Sequence, residues 1–252
     1  MIRVERGGPV ATVIIDRSER KNAIDRDHAE RLAQTFRDLD ADDMISVAIL
    51  TGAGATFSAG ADLKAVAEGA PNRVALDGDG PLGPTRLVLS KPVIAAIEGY
   101  AVAGGLELAL WCDLRVMAED ATLGVFCRRF GVPLIDGGTV RLPRLIGLSR
   151  ALDLILSGRP VSAQEAHQMG LVNRLAPPGQ SLLVAEQWAH TLAKFPQACL
   201  RADLASARAA FDATLSEALQ QELLRGAQVV GTESIAGAMN FVAGKGRHGD
   251  FS

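Results

Sequence analysis

Residues 99–113 read GYAVAGGLELALWCD and place a run of small residues directly before a helix that carries one carboxylate, Glu107. If this helix begins near Gly104, its first free N–H groups point outward at the positive end of the helix dipole, and Glu107 lies on the same face. Glycine at 104 and 105 lets a ligand approach the main chain closely. The apolar neighbours of Glu107 favour partial burial and a raised pKa. The pattern predicts an anion-stabilising N–H beside a general acid or base; alternatively, the carboxylate only complements the dipole.

The composition is that of a globular protein. The 252 residues are 48% hydrophobic and 22% charged, with a net charge of −3, so no basic surface for nucleic acid or an anionic membrane is expected. Charges within the first six residues argue against a signal peptide, and the chain lacks an apolar run of membrane-spanning length, which predicts a cytoplasmic protein. Three scattered cysteines, Cys112, Cys127 and Cys199, indicate neither a disulfide framework nor a metal site.

Hydrophobic periodicity predicts an α/β fold with a mostly parallel sheet. Residues 2–15 suit a hairpin, and strand and helix patterns then alternate, which favours parallel strands covered by helices. The predicted strands that follow the hairpin span 45–50, 92–97, 114–118 and 171–175, and the predicted helices span 22–39, 140–146, 150–156, 163–169, 182–194, 197–211, 215–229 and 233–242. Ser162 and Glu165 match a capping box for the helix at 163.

Two segments stand outside the alternating pattern. Residues 64–86 are rich in Gly, Pro and Asp, which predicts a flexible lid that orders on ligand binding. From residue 181 onward the pattern is almost entirely helical, with Ala and Leu faces suited to packing on a neighbouring subunit. We therefore expect a catalytic core over residues 1–180 and a helical oligomerisation region over 181–252.

A second turn of small residues lies within TGAGATFSAGADLK, residues 51–64. It fails the dinucleotide-binding pattern because Phe57 stands where a third glycine is needed, and it lacks the Gly-Lys pair of a Walker loop. What remains is the turn at residues 58–61, which feeds a helix starting near Asp62. Two such turns could form a two-donor oxyanion hole, although tight strand-to-helix packing alone also explains either one.

Three motifs carry a family resemblance: SAGADLK, then KPVIAAIEGYAVAGGLELALWCDLR, then GVPLIDGGTVRLPRLIG. In this order they resemble the crotonase (enoyl-CoA hydratase/isomerase) superfamily, and the resemblance runs from RSERKNAI near the start to TESIAGAMNFVAGK near the end. It implies a ββα spiral core, a C-terminal helical trimerisation region, and a homotrimer or dimer of trimers. It also implies an acyl-CoA substrate. The superfamily performs hydration, isomerisation, decarboxylation, dehalogenation and thioester hydrolysis on one scaffold.

The resemblance implies roles for individual residues. The N–H groups of Ala61 and Gly104 would hold the thioester oxygen, and Glu107 matches the first of the two glutamates of family hydratases. The second glutamate position falls on Cys127, which we interpret as a buried small residue. Asp136 is a candidate second catalytic carboxylate, and capping of the following helix is the alternative role.

Two sets of cations complete the expected site. Arg128 and Arg129 would tether Asp136 or Glu107, or neutralise a substrate carboxylate. The resemblance places the adenine and pyrophosphate of CoA near Arg20, Lys21, Ala59 and Lys64, with Phe241 and Lys245 approaching from a neighbouring subunit. Apart from the CoA moiety no cofactor is expected, and no metal. The predicted function is an enoyl-CoA hydratase or isomerase; the alternatives are a thioester hydrolase, a decarboxylase or a silent acyl-CoA binding protein.

Overall fold

The computed structural model describes residues 1–245. Their contacts form two units, Met1–Leu192 and Ala193–Ser252, the second described as far as Lys245. The helix Ser181–Ala193 falls almost wholly in the first unit, where Ser181, Ala185 and Ala189 are buried. The contact boundary therefore follows this helix instead of preceding it, and the division into catalytic and oligomerisation regions stays a prediction.

A six-stranded sheet forms the centre of the first unit. Its strand order is β1-β2-β3-β4-β6-β9, with β1 and β2 antiparallel and every later pair parallel. All residues of β2 and β4 are buried, as expected for parallel strands covered on both faces. The strands, including those of the second sheet, are β1 (Ile2–Gly7), β2 (Val10–Ile15), β3 (Val47–Gly52), β4 (Val93–Ile97), β5 (Tyr100–Val102), β6 (Leu114–Ala118), β7 (Thr122–Gly124), β8 (Val161–Ser162) and β9 (Arg174–Ala176).

A smaller sheet of three strands, β5-β7-β8, was not predicted. Its strands have at most three residues, too short for a periodic signal. Strand β5 pairs with β7 in parallel, and Ala103 N–H, just after β5, donates to Gly124 O at the end of β7. This sheet therefore positions the turn that leads into the helix at Gly104.

Helices cover the sheet in the first unit. Apolar residues stand at helical spacing along the first helix and are all buried, so this period identifies its core face: Ala29, Leu32, Ala33, Phe36 and Leu39. The helices are α1 (Arg26–Ala41), α2 (Leu63–Ala67), α3 (Gly104–Trp111), α4 (Gly138–Ile146), α5 (Leu148–Ser157), α6 (Ala163–Gln168) and α7 (Ser181–Ala193), with short 3-10 turns at Ser18–Arg20, Pro84–Arg86 and Phe126–Phe130.

The second unit is helical, with α8 (Gln197–Ala209), α9 (Leu215–Val230) and α10 (Glu233–Val242). A capping box of Thr214 and Glu217 starts α9. Large apolar side chains are exposed along α9 and α10: Leu215, Leu219, Leu223, Leu224, Val230, Ile235, Met239, Phe241 and Val242. Within residues 1–245, no helix is long and apolar enough to cross a membrane.

Two local predictions need correction. Ser162 Oγ accepts the N–H of Glu165 at the start of α6, but the Glu165 carboxylate binds Arg159, so the second half of the expected capping box is replaced by an ion pair. The segment 64–86 is not uniformly a loose lid. Residues 80–85 are buried, because their turn packs against the core, and Leu82 is only 1% exposed.

Candidate active site

Two turns of small residues lie against each other at the amino ends of α2 and α3. A β-carbon on Gly60, whose φ is +87°, would lie 2.5 Å from Gly104 N, and one on Gly105 would lie 2.0 Å from Ser58 O. Real β-carbons do not approach other atoms this closely, so only glycine lets the two turns meet. The glycines in both sequence motifs therefore have a packing role, and the same packing brings Ala61 close to Gly104.

The N–H groups of Ala61 and Gly104 have no acceptor among residues 1–245, whereas Asp62 N–H donates to Ile24 O and Ala103 N–H donates to Gly124 O. Unpaired backbone donors are rare inside proteins because each carries a desolvation cost. These two donors, one from each turn, are therefore available to a ligand.

Local features hold both turns in place. Ala103, directly before α3, has φ 54° and ψ −126°, a conformation that is strained for a residue with a β-carbon. This conformation sets the direction in which α3 starts. On the other turn, the Asp62 carboxylate accepts the N–H groups of Lys64 and Ala65 and pairs with Arg17 at 2.8 Å. The positive φ of Ala103 and the ion pair between Arg17 and Asp62 were not predicted, because neither leaves a local signal in the sequence.

Glu107 is buried beside the free donor of its own helix. It is 3% exposed, and its Oε1 accepts the N–H groups of Asp136 (2.9 Å) and Gly138 (2.8 Å). Burial raises the pKa of Glu107 to about 7, and the charge of Asp136 acts in the same direction, against the two N–H groups. Oε2 accepts no hydrogen bond from the described part of the chain. One oxygen is therefore anchored and the other is open to a reacting group.

Asp136 does not cap α4, so the capping prediction is wrong. The residue before α4 is Gly137, and the N–H of Gly138 bonds to Glu107, which the fold brings to this helix end. The Asp136 carboxylate instead accepts from Leu82 N–H (2.9 Å) and from Thr85 Oγ1 (2.5 Å). Burial raises the pKa of Asp136.

The cations around these carboxylates also differ from the prediction. Arg128 and Arg129 donate to the carbonyl oxygens of Ile155 and Gly158, and neither contacts Asp136 or Glu107. A nearby cation is Arg141 of α4, which donates to Asp136 O at 2.8 Å and to Thr85 O at 2.6 Å. Arg141 was missed because its partner Thr85 lies 56 residues away in sequence.

Cys127 is a buried thiol, as interpreted from the sequence. It is 6% exposed within the short helix Phe126–Phe130. Burial is the largest cause that raises the pKa of Cys127, and the nearby Glu107 charge adds to it. A thiol held in its protonated form is neither a nucleophile nor a substitute for a carboxylate.

The residues predicted to hold CoA fall into two groups. Lys21 O accepts the N–H of Ala59, which joins the end of the turn Ser18–Arg20 to the loop before Ala61. Lys64 is exposed on α2 and lies three residues after Ala61. Phe241 and Lys245 belong to the second unit, and both side chains are exposed.

Comparison with known proteins agrees with this geometry. A family model for enoyl-CoA hydratase/isomerase matches residues 5–244. The chain belongs to the enoyl-CoA hydratase/isomerase family. The fold prediction is thereby confirmed, since the solved structure of enoyl-CoA hydratase EchA1 from Mycobacterium marinum matches at a TM-score of 0.91 and 36% identity, covering 96% of this chain and 95% of that one.

Individual members of the enoyl-CoA hydratase/isomerase family show the same similarity in sequence. Enoyl-CoA hydratase EchA19 of Mycobacterium tuberculosis is 37% identical, over 81% of this chain and 79% of that protein. Carnitinyl-CoA dehydratase of Salmonella arizonae is 38% identical, over 76% of this chain and 74% of that protein. One is named a hydratase and the other a dehydratase, each of a CoA compound, and this chain is similar in sequence to both.

Proposed function

We propose that this protein is an acyl-CoA enzyme of the hydratase/isomerase type that works through a thioester enolate. The single observation that carries the proposal is the pair of free N–H donors, on Ala61 and Gly104, beside the buried carboxylate of Glu107. Two convergent donors suit a carbonyl oxygen that gains negative charge, and a carboxylate next to them suits proton transfer at the neighbouring carbon.

The two N–H groups would act on the charge that develops during the reaction. When the thioester becomes an enolate, charge moves onto the carbonyl oxygen. Preorganised donors in a water-poor site stabilise that oxygen more than they stabilise the neutral carbonyl, and losing one such donor typically costs about 2.7–4 kcal/mol in the transition state. Main-chain donors held by packed glycines need no rearrangement during the step.

Glu107 would both take and give the proton. In hydration, water oxygen bonds to Cβ while a water proton passes to Glu107 Oε2, and the enolate then takes a proton from that carboxyl at Cα. In isomerisation, the carboxylate removes a proton from Cα and returns it to Cγ. A pKa of about 7 suits both directions, because neither protonation state is strongly favoured at neutral pH.

Position 127 carries no glutamate, so Glu107 performs the proton transfers in this scheme. Cys127 cannot hold water as a carboxylate does, and its thiol is kept protonated. Asp136 is the second carboxylate proposed for the reaction. Its bonds from Leu82 N–H and Thr85 Oγ1 both use one oxygen, Oδ1, which leaves Oδ2 for a reacting group.

The CoA moiety would bind at the entrance formed by Arg20, Lys21, Ala59 and Lys64. Cationic side chains there suit the phosphates, and the main chain at Ala59 suits the adenine. Phe241 and Lys245 would complete the site from a neighbouring copy in a homotrimer or dimer of trimers. The exposed apolar side chains of α9 and α10 support such association, because monomers rarely expose so many together.

The test is a product assay on a panel of acyl-CoAs. A 2-enoyl-CoA should lose the ultraviolet absorbance of its conjugated double bond on hydration, and a 3-enoyl-CoA should gain it on isomerisation. Release of free CoA thiol would instead identify a hydrolase, and release of CO2 a decarboxylase. Tight binding of acyl-CoA without any turnover would contradict the proposal and indicate a silent binding protein.

A further inference from the structure

The segment 80–86, here called the strap, covers the candidate site with the side chain of Leu82. Its tip is closed by two hydrogen bonds, Gly80 N–H to Gly83 O (3.0 Å) and Gly83 N–H to Gly80 O (2.8 Å). Leu82 is 1% exposed, and a β-carbon placed on Gly104 would lie 2.3 Å from Leu82 Cδ1. One methyl group of Leu82 therefore contacts the turn that bears the free N–H of Gly104.

Asp136 holds the strap shut. Its Oδ1 accepts both the N–H of Leu82 and the hydroxyl of Thr85, and Arg141 fastens Thr85 O and Asp136 O to each other. Gly80 allows this arrangement, since a β-carbon there would lie 1.9 Å from Thr85 Oγ1 and 2.9 Å from Asp136 Oδ1. The main-chain N–H of the same Asp136 binds Glu107, so one residue joins the strap to the acid.

The closed strap conflicts with substrate access. Glu107 and Asp136 are 3% and 4% exposed, so little of either carboxylate is accessible while the strap keeps this position. The outer part of the same loop, residues 73–78, is mostly exposed and lacks such fastening to the core. Movement of Leu82 away from this turn would uncover the main chain at Gly104.

We propose that Leu82 is a plug, a side chain that the acyl group of the substrate displaces, and that Leu82 thereby sets which acyl groups enter. The Thr85–Asp136 hydrogen bond is the latch, the contact that holds this plug in place. This inference rests on the proposed function. An apolar acyl group replaces the contacts that Leu82 gives up, whereas CoA alone offers nothing to replace them. Breaking the latch also removes one of the two hydrogen bonds to Oδ1 of Asp136.

Hydrogen exchange of the strap, followed by mass spectrometry on the full chain, tests the latch. Prolines 81 and 84 carry no N–H, whereas the N–H groups of Gly80, Leu82 and Gly83 are all hydrogen-bonded and report on the strap. Thr85→Val keeps the side-chain shape and removes the hydroxyl, and we expect roughly 5-fold to 10-fold faster exchange in the strap. Thr51→Val is the matched control, because Thr51 is also a buried threonine whose hydroxyl donates to a carbonyl, Ala96 O, outside the strap.

The same measurement with ligands tests the plug. Saturated butyryl-CoA, which cannot be hydrated, should change exchange at the strap, and CoA at the same occupancy should leave it unchanged. An unchanged strap with butyryl-CoA bound, as shown by calorimetry, would overturn the plug while leaving the proposed function intact. If butyryl-CoA does not bind and no acyl-CoA is turned over, the proposed function itself has failed.

Substrate choice gives an independent readout. Leu82→Ala removes the plug without touching the latch, and we expect its ratio of kcat/KM for a bulky over a short enoyl-CoA to rise roughly 10-fold or more. An unchanged ratio would overturn the assignment of Leu82 as the specificity residue. If Leu82→Ala does not fold, Leu82→Met provides the comparison, since it keeps the volume and adds flexibility.

Discussion

The two halves of the candidate site differ in the chemical groups that form them: main-chain groups in one half and side chains in the other. The donor half, around Ala61 and Gly104, consists of main-chain N–H groups, and glycines allow its two turns to meet. The proton-transfer half consists of side chains, Glu107 and Asp136, whose partners come from distant parts of the chain. A donor half made of backbone depends on packing alone, whereas the properties of a carboxylate depend on every group that surrounds it.

The largest expected effect is in the proton-transfer half. Glu107→Gln removes the proton carrier while keeping the size of the side chain, so turnover should fall by roughly 10²–10⁴-fold. Butyryl-CoA affinity, measured by calorimetry, should stay near the wild-type value because the donors and the CoA entrance are unchanged. Unchanged turnover would remove Glu107 from the mechanism.

The next largest effect is expected in the donor half, from the variant Gly60→Ala. A β-carbon at this position would lie 2.5 Å from Gly104 N, so the two turns must separate. The backbone φ of +87° at residue 60 is also strained for alanine. We expect kcat/KM to fall by about 10²–10³-fold, the effect of losing one oxyanion donor. Gly54→Ala is the control, because Gly54 also has a positive φ (+70°) but its β-carbon would only reach ordinary contact with Ser18, at 3.5 Å. Equal losses in both variants would mean that backbone strain alone was measured.

Stability against pH gives the third comparison. The folded-state pKa of Glu107 is raised from 4.5 to about 7, so the folded protein binds this proton more tightly and its free energy of unfolding falls as pH rises through that window. Relative to wild type, Glu107→Gln should therefore gain roughly 2–3 kcal/mol between about pH 5 and pH 8 in urea unfolding. Glu30→Gln, on the exposed face of α1, removes a carboxylate without burial and should show no such gain.

A smaller effect is expected at the CoA entrance. Lys64→Gln removes an exposed cation next to Ala61, and we expect KM to rise roughly 10-fold with kcat little changed, because a contact to phosphate acts equally on substrate and transition state. The increase should shrink at high salt. Arg31→Gln, an exposed cation on α1, is the control. A matching rise in that variant would indicate a general charge effect.

The smallest effect is expected at Cys127. Because burial keeps the thiol protonated, Cys127→Ala should change kcat by less than about 3-fold in steady-state assays. A much larger loss in a variant with wild-type thermal stability would give the thiol a chemical role. It would also show that the proton-transfer half uses more than Glu107.

The elements that could be predicted are those with a local signal. The apolar period of α1 identified its five core positions, and the small-residue runs at residues 58–61 and 103–105 located both turns. The β5-β7-β8 sheet left no signal because its strands are too short. Asp136 before Gly-Gly-Thr matched a helix cap, yet the fold brought Glu107, 31 residues earlier than Gly138, to that helix end instead.

By itself, the sequence determined the α/β class, the two glycine turns and the buried position of Glu107, because glycine pattern and hydrophobic period act within a few residues. Only the tertiary structure decided what the carboxylates do. Asp136 meets Leu82 and Thr85 across more than 50 residues of chain, and burial together with the Asp136 charge brings the pKa of Glu107 to about 7. Electrostatic environment is a property of the folded neighbourhood, and no local stretch of sequence contains it.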